Sequence, residues 1–185
     1  MQVALIAFGA NLPWNGAEPE ETVARAISEL NSDGDRVVGQ SRLYATPCFP
    51  TGAGPDYCNA AAAVETSRSP EDLLLRLQAI ELAHGRERKL RWGNRTLDLD
   101  LLAIGETVAP DLRTFREWAE LAPEAQGNVA PDQLVLPHPR MQDRAFVLVP
   151  LADIAPDWRH PVFGRTVADM LAGLPEADVR AVTPL

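Results

Sequence analysis

The sequence predicts an α+β fold, with one antiparallel sheet that carries two helices on one face. One observation is the unbroken apolar run from Val3 to Phe8, which indicates a buried strand. A second is that two later segments have apolar residues at helical spacing. A third is the order of the elements over residues 1–105, which is β-α-β-β-α-β. This order is the ferredoxin-like one.

Local signals support each element of that order. The first helix is predicted at 19–30, with glutamates in its first turn, where carboxylates suit the positive end of the helix dipole. The second helix begins after Ser69, a candidate N-cap, and ends near His84, before a glycine suited to the C′ position. Three further strands complete the order, at 36–45, 57–66 and 96–104.

The remainder of the chain is less regular and is predicted as C-terminal additions to the sheet. A helix is expected at 111–122, with Leu112, Phe115 and Trp118 facing inward, inside an insertion at about 106–132. A short apolar strand is predicted at 145–151 and a last helix at 166–174. Because no internal repeat or long linker separates these parts, we expect a single domain over residues 1–185.

Composition excludes several classes of protein. With a net charge of −9, non-specific binding to nucleic acid or to an anionic membrane is disfavoured. The two cysteines form no C-x-x-C pair, and reduced thiols fit the cytoplasm. No segment reads as a signal peptide or a membrane span. We expect a cytoplasmic monomer that binds small molecules.

Two aspartates in the last predicted strand form the strongest local signal. Asp98 and Asp100 alternate with Leu97, Leu99 and Leu101, so the two carboxylates share the face opposite the leucines. Carboxylates at this spacing favour a shared cation, and Mg²⁺ combines one or two carboxylates with substrate phosphates. An ordinary solvent-exposed strand face explains the spacing equally well.

Positive charge and aromatic rings accompany these aspartates. Five of the 17 Lys and Arg residues fall within 86–95, next to Trp92, which indicates an anion site or, alternatively, a solvated charge run. His138, Arg140 and Arg144 form a second cationic group, in which the histidine could equally be structural. Tyr57 and Asn59 share a strand face and suit a flat heterocycle, or else a cross-strand packing pair.

Taken together, these segments resemble the 6-hydroxymethyl-7,8-dihydropterin pyrophosphokinase family of folate biosynthesis. The resemblance covers nearly the whole chain except about 106–132. The most specific motif is R-W-G-N-R-T-L-D-L-D at 91–100. The other matching segments are F-G-A-N-L at 8–12, Y-A-T-P at 44–47, P-D-Y-C-N-A-A at 55–61, I-E at 80–81, G-R at 85–86, L-P-H-P at 136–139, R-A-F at 144–146 and P-L-A-D-I-A-P at 150–156.

The resemblance implies a ferredoxin-like fold and the transfer of pyrophosphate from ATP to the hydroxymethyl group of the pterin, which leaves AMP. It implies catalytic roles for Arg86, Arg95, Asp98 and Asp100, with the two aspartates holding two Mg²⁺ ions. It further implies that the pterin contacts Thr46, Pro47, Phe49, Tyr57, Asn59 and Phe146. By the same resemblance, ATP contacts Gln78, Glu81, Arg88, Trp92, His138 and Arg144.

Three positions depart from the family pattern. Ala10 stands where a serine is usual, Asn94 stands where a proline is usual, and Gln133 lies near a usual arginine. We expect Arg140, Arg113 or Arg116 to replace that arginine. Two other functions remain open at this point: a different Mg²⁺-dependent phosphotransferase or nucleotidyltransferase, and a non-catalytic ligand-binding domain.

Overall fold

A six-stranded antiparallel sheet organises the chain, whose computed structural model describes residues 1–48, 54–86, 95–122, 125, 129 and 131–185. The strand order is β5-β1-β4-β3-β6, and β2 also pairs with β4. The strands are β1 (Gln2–Ala10), β2 (Arg36–Gln40), β3 (Tyr44–Thr46), β4 (Tyr57–Thr66), β5 (Asp98–Ile104) and β6 (Thr183–Pro184).

Helices cover both faces of this sheet. The helices are α1 (Pro19–Leu30), α2 (Pro70–Ala83), α3 (Leu112–Ala119), α4 (Ala145–Ile154), α5 (Val167–Ala172) and α6 (Glu176–Arg180). One hydrophobic cluster lies between the sheet and the helices α1 and α2. A second cluster lies between the opposite face and the helices α4 and α5. Because both faces are covered, the strand β1 is apolar without alternation, as the sequence predicted.

The two amphipathic helices of the sequence analysis are confirmed. Helix α1 has the predicted bounds, and α2 has its N-cap at Ser69, whose hydroxyl accepts a hydrogen bond from the Asp72 N–H at 3.1 Å. The expected strand at 57–66 is also confirmed as β4. The fourth strand of the predicted order begins at Asp98, two residues later than expected.

The predicted strand at 36–45 is broken into β2 and β3. Ser41 lies in the break, where its N–H donates to the Ala61 carbonyl at 2.9 Å and its hydroxyl accepts from the Ala61 N–H at 2.8 Å. A side-chain oxygen therefore replaces a backbone acceptor in the ladder, and the strand bends while both of its halves still pair with β4.

The expectation of a strand at 145–151 is wrong, because this segment is the helix α4. Val147, Leu148 and Leu151 of α4 are buried against sheet residues such as Leu5 and Ala63. The valines favour a strand locally, and Pro150 disfavours a helix interior. Packing of the apolar helix against the open face of the sheet nevertheless decides the conformation.

Helix α3 attaches the insertion to the C-terminal part of the chain. Phe115 is completely buried, and its ring centroid lies 5.5 Å from that of His160 and 5.6 Å from that of Phe163. The expectation that Leu112 also faces inward is wrong, since that side chain is exposed, and Trp118 is half-buried. The last predicted helix is confirmed as α5, which Thr166 caps.

Candidate active site

The carboxylate pair lies on the sheet face that α4 and α5 partly cover. Leu97, Leu99 and Leu101 point into the opposite hydrophobic cluster, so Asp98 and Asp100 share the other face, as their spacing predicted. The side chain of Asp98 is 17% exposed and that of Asp100 is 39% exposed. Burial and the neighbouring Asp100 charge raise the pKa of Asp98. Two carboxylates this close repel each other, so the pair favours binding of a cation or a cationic side chain.

Three arginines supply part of that charge. A guanidinium nitrogen of Arg86 lies 2.7 Å from Asp98, and Arg95 pairs with the other oxygen of the same carboxylate. Arg144 lies 4.0 Å from Asp100. The side chains of these arginines are only 20–25% exposed, so their charges are poorly screened by water.

Glu81 connects α2 to this cluster. It is 2% exposed, accepts a hydrogen bond from the Leu99 N–H at 2.7 Å and pairs with Arg86. Burial raises the pKa of Glu81 to about 7, against the opposing effects of the Leu99 N–H and Arg86. Glu81 thus fixes the start of β5 and the direction of Arg86, a bridging position that the sequence analysis did not foresee.

Strand β4, which β1 separates from β5, brings Tyr57 and Asn59, two of the predicted pterin-binding residues, to the same face. Gly9 of β1 pairs with Asn59 on one side and with Asp98 on the other. Tyr57 is half-buried, and burial raises the pKa of its hydroxyl. Asn59 is buried, and its side-chain N–H donates to the hydroxyl of Thr46. A ring and an amide therefore lie one strand away from the carboxylates, across a glycine.

Phe146 and Pro47 are both exposed. Phe146 lies on the first turn of α4, and the Arg144 guanidinium lies 5.6 Å from the centroid of the Phe146 ring. The structure therefore places the Phe146 ring next to a cation that reaches the carboxylates. Phe49, Arg88 and Trp92, together with the variant position Asn94, lie outside the described residues.

His138 is held beside β5 by its backbone N–H, which donates to the Leu102 carbonyl at 2.7 Å. Its Nδ1 accepts from the Arg140 N–H at 3.1 Å, so the neutral ring carries its proton on Nε2. Burial, Arg144 and Arg140 lower the pKa of His138 to about 3. His138 is therefore a neutral hydrogen-bond donor in a cationic setting.

The three arginines expected to act in place of Gln133 lie in different surroundings. Arg113 pairs with Glu117 on the exposed side of α3, and Arg116 is also exposed there. Arg140 is half-buried, and its backbone N–H donates to His138. Burial and the neighbouring Arg144 lower the pKa of Arg140. Gln133 itself lines a cleft of about 380 Å³ with residues of α2 such as Leu74, one turn before the half-buried Gln78.

Asn11 is a residue that the sequence analysis missed. It is 1% exposed, its backbone N–H and side-chain oxygen bond to the backbone of Arg95, and its side-chain N–H donates to the Pro55 carbonyl at 3.1 Å. It thereby joins the end of β1, the loop before β4 and the segment before β5. The sequence signal that could have indicated Asn11 is an asparagine directly after an apolar strand, where its side chain can bond to neighbouring backbone groups.

An open sheet face that combines two carboxylates, several poorly screened arginines and a neutral histidine donor is typical of enzymes that transfer phosphoryl groups from nucleotides. The family model described as 7,8-dihydro-6-hydroxymethylpterin-pyrophosphokinase (HPPK) matches residues 5–156. The chain belongs to this family. The match includes all of the cluster around Asp98 and Asp100.

Individual relatives agree with this assignment. The 2-amino-4-hydroxy-6-hydroxymethyldihydropteridine pyrophosphokinase of Pseudomonas aeruginosa is 41% identical over 95% of this chain and 93% of its own length. The protein of the same name from Methylorubrum extorquens is 36% identical over 98% of this chain and 99% of its own. This relative therefore has nearly the same length as this chain.

Solved structures show the same fold at low sequence identity. A Plasmodium falciparum HPPK-DHPS crystal structure superposes with a TM-score of 0.65 at 15% identity, over 92% of this chain. This chain spans 44% of that longer chain. In the part of the chain that the structure describes, no helix has both the length and the apolar character needed to cross a membrane.

Proposed function

We propose that the cluster around Asp98 and Asp100 is where this chain transfers pyrophosphate from ATP to the hydroxymethyl group of 6-hydroxymethyl-7,8-dihydropterin, the reaction of its family. The observation that supports this assignment most strongly is the junction at Gly9, which separates the pterin-type residues from the carboxylates by a single strand. An acceptor bound over Tyr57 and Asn59 would lie within one strand of the carboxylates, and we propose that its hydroxymethyl group faces them.

The carboxylate pair fits Mg²⁺. Among the described residues, no group of three or more His, Cys, Asp or Glu could hold a metal, so this part of the chain offers a metal two carboxylates at most. Mg²⁺ commonly binds through one or two carboxylates and completes its coordination with substrate phosphates and water. Asp98 and Asp100 would hold the two ions we propose, which would neutralise phosphate charge when bound.

The residues of this chain have distinct roles in the reaction. The pterin hydroxyl oxygen forms a bond to the β-phosphorus of ATP, and the bond from that phosphorus to the oxygen of the AMP leaving group breaks. Asp100, the more exposed carboxylate, accepts the hydroxyl proton. Arg86 and Arg95 orient the phosphates and stabilise the charge that develops during transfer.

The nucleotide is proposed to lie along α2 and residues 133–144. We place the purine ring at the cleft that Leu74 and Leu134 line, and Gln78 lies one turn further along α2. His138 donates a hydrogen bond to a phosphate or ribose oxygen, and Arg140 supplies the charge that Gln133 lacks. Phe146 and Tyr57 are proposed to contact the two faces of the pterin, with Thr46, Pro47 and Asn59 at its polar edge.

We also propose that the fold is ferredoxin-like, that the chain is a single domain and that it is a cytoplasmic monomer. The strand order, with β2 and β3 taken together as one broken strand, supports the ferredoxin-like classification, with α4, α5 and α6 as additions. One continuous sheet supports a single domain. A monomer in the cytoplasm, without a nucleic-acid partner, remains the expectation from the acidic charge and the two cysteines.

The test is AMP release from ATP with a panel of acceptors. The purified chain with Mg²⁺ should release AMP with 6-hydroxymethyl-7,8-dihydropterin, and not with the same pterin carrying a methyl group in place of the hydroxymethyl group. Release of AMP with unrelated alcohols at a similar rate would assign the chain to another phosphotransferase class. Tight binding of both ligands without AMP release would indicate a binding module.

A further inference from the structure

The turn that follows β1, residues 11–17, contacts Gly85 and Arg95, which are the residue just before the basic segment 86–95 and the last residue of that segment. At the far end, the backbone N–H groups of Asn11 and Leu12 both donate to the Arg95 carbonyl, at 3.0 and 3.2 Å. The Asn11 side-chain oxygen accepts from the Arg95 N–H at 2.8 Å. The backbone of Arg95, one of the two arginines that pair with Asp98, is therefore held by this turn.

At the near end, the contact is between Trp14 and Gly85. A Cβ atom added to Gly85 would lie 2.3–2.5 Å from atoms of the six-membered ring of Trp14, which is too close for any side chain. Gly85 also has φ of +77°, a conformation that favours glycine. The Trp14 ring thus lies directly against the backbone of Gly85.

Trp14 is itself held in place without being part of the core. Its backbone N–H and carbonyl exchange two hydrogen bonds of 2.9 Å with Ala17. The residue is 39% exposed, and neither hydrophobic cluster of the sheet includes it. Its contact with Gly85 therefore has a local effect rather than an effect on the packing of the whole chain.

The residue after Gly85 is Arg86, which contacts both Glu81 and Asp98. Its backbone N–H donates to the Glu81 carbonyl at 3.1 Å, and its guanidinium lies 2.7 Å from Asp98. Movement of the Gly85 backbone away from α2 would carry this guanidinium with it. We propose that Trp14 is a positioning residue, which holds the Gly85 backbone and thereby keeps Arg86 beside Asp98.

This inference rests on the proposed role of Arg86, and a double-mutant cycle tests it. The rate of AMP release is measured for wild type, Trp14→Ala, Arg86→Ala and the double variant, with the folded fraction of each taken from its unfolding curve. We expect Trp14→Ala to lower kcat about tenfold in the wild-type background, since small displacements of a charge-stabilising group are costly. The KM for the pterin should stay within about twofold.

In the Arg86→Ala background, the same removal of Trp14 should change kcat less than about twofold, because the group that it positions is already absent. In the background with Arg86 intact, the conservative replacement Trp14→Phe keeps an aromatic ring against Gly85. Its kcat should therefore stay close to the wild-type value, unlike that of Trp14→Ala. The control Trp118→Ala, which removes a half-buried tryptophan from α3, should leave kcat unchanged.

The outcomes separate this inference from the proposed function. If Arg86→Ala alone keeps full activity, the assignment of the phosphate site is wrong. If Arg86→Ala is impaired but Trp14→Ala lowers kcat equally in both backgrounds, only the positioning role is overturned. If Trp14→Ala folds too poorly to assay, Trp14→Leu replaces it in the cycle, since leucine keeps apolar contact without the flat ring.

Discussion

Replacing Glu81 by glutamine tests the electrostatics of the site through folding stability. Glu81 is 2% exposed, and burial raises its pKa from 4.5 to about 7. Between these two values the carboxyl is neutral in the folded chain and charged in the unfolded chain. Unfolding then releases a proton, so the free energy of unfolding falls as the pH rises through 7.

The size of this effect follows from the shift. One pKa unit corresponds to 1.36 kcal/mol, so the full contribution is about 3 kcal/mol, present below pH 4.5 and lost above pH 7. Between pH 5 and pH 8 the expected loss is about 2–3 kcal/mol. Glu81→Gln keeps an oxygen that can accept the Leu99 N–H and carries no titrating group, so this loss should be absent.

Urea unfolding at pH 5, 6.5 and 8 measures the difference between the two proteins. Burial also raises the pKa of Asp98, which adds a slope of the same sign to both profiles. The difference between the profiles therefore reports Glu81. An exposed carboxylate, Glu117, provides the control, and Glu117→Gln should follow the wild-type profile. Parallel profiles for wild type and Glu81→Gln would refute the reasoning.

Two further predictions concern packing and positioning. Asp35, whose side chain is 1% exposed, pairs with Arg68 and Arg76 and accepts from the Thr66 hydroxyl. Asp35→Ala removes the buried carboxylate that the two guanidiniums share and should cost about 3 kcal/mol of unfolding free energy, measured in urea. The folded fraction of Asp35→Ala should keep the wild-type kcat. A loss of less than about 1 kcal/mol of unfolding free energy would contradict the predicted destabilisation. Gly9→Ala places a Cβ 3.3 Å from the Asn59 side-chain oxygen and should raise the pterin KM several-fold without changing the ATP KM. Gly39→Ala, whose added Cβ makes ordinary contacts at 3.6 Å, is its control, and equal effects from both substitutions would argue against a pterin site at Gly9.

Periodic patterns explain why much of the fold could be predicted from the sequence. The two-residue period of a strand placed Asp98 and Asp100 on one face and the leucines on the other, and burial confirms this. Helix α1 was equally clear, because a strong apolar stripe follows Pro19. These features depend only on neighbours in sequence, so they can be predicted from a short stretch of the chain.

Features that depend on contacts between distant segments could not be predicted in the same way. Helix α4 carries residues of high strand propensity, and only the apolar sheet face beneath it decides its conformation. Asn11 bonds to Arg95 and Pro55, which are far from it in sequence. Glu81 gave one usable signal, since it follows Leu77 by four residues and so falls on the apolar stripe of α2.

The most direct test of the account is the rate of AMP formation by Asp100→Asn, measured with ATP, Mg²⁺ and the hydroxymethyl pterin. The substitution keeps the size of the side chain but removes the charge and the proposed proton acceptor, and Asp111→Asn at the N-cap of α3 provides the control. The account predicts a loss of at least about a hundredfold in kcat for Asp100→Asn and no loss for the control. Turnover by Asp100→Asn within a few-fold of wild type would contradict it.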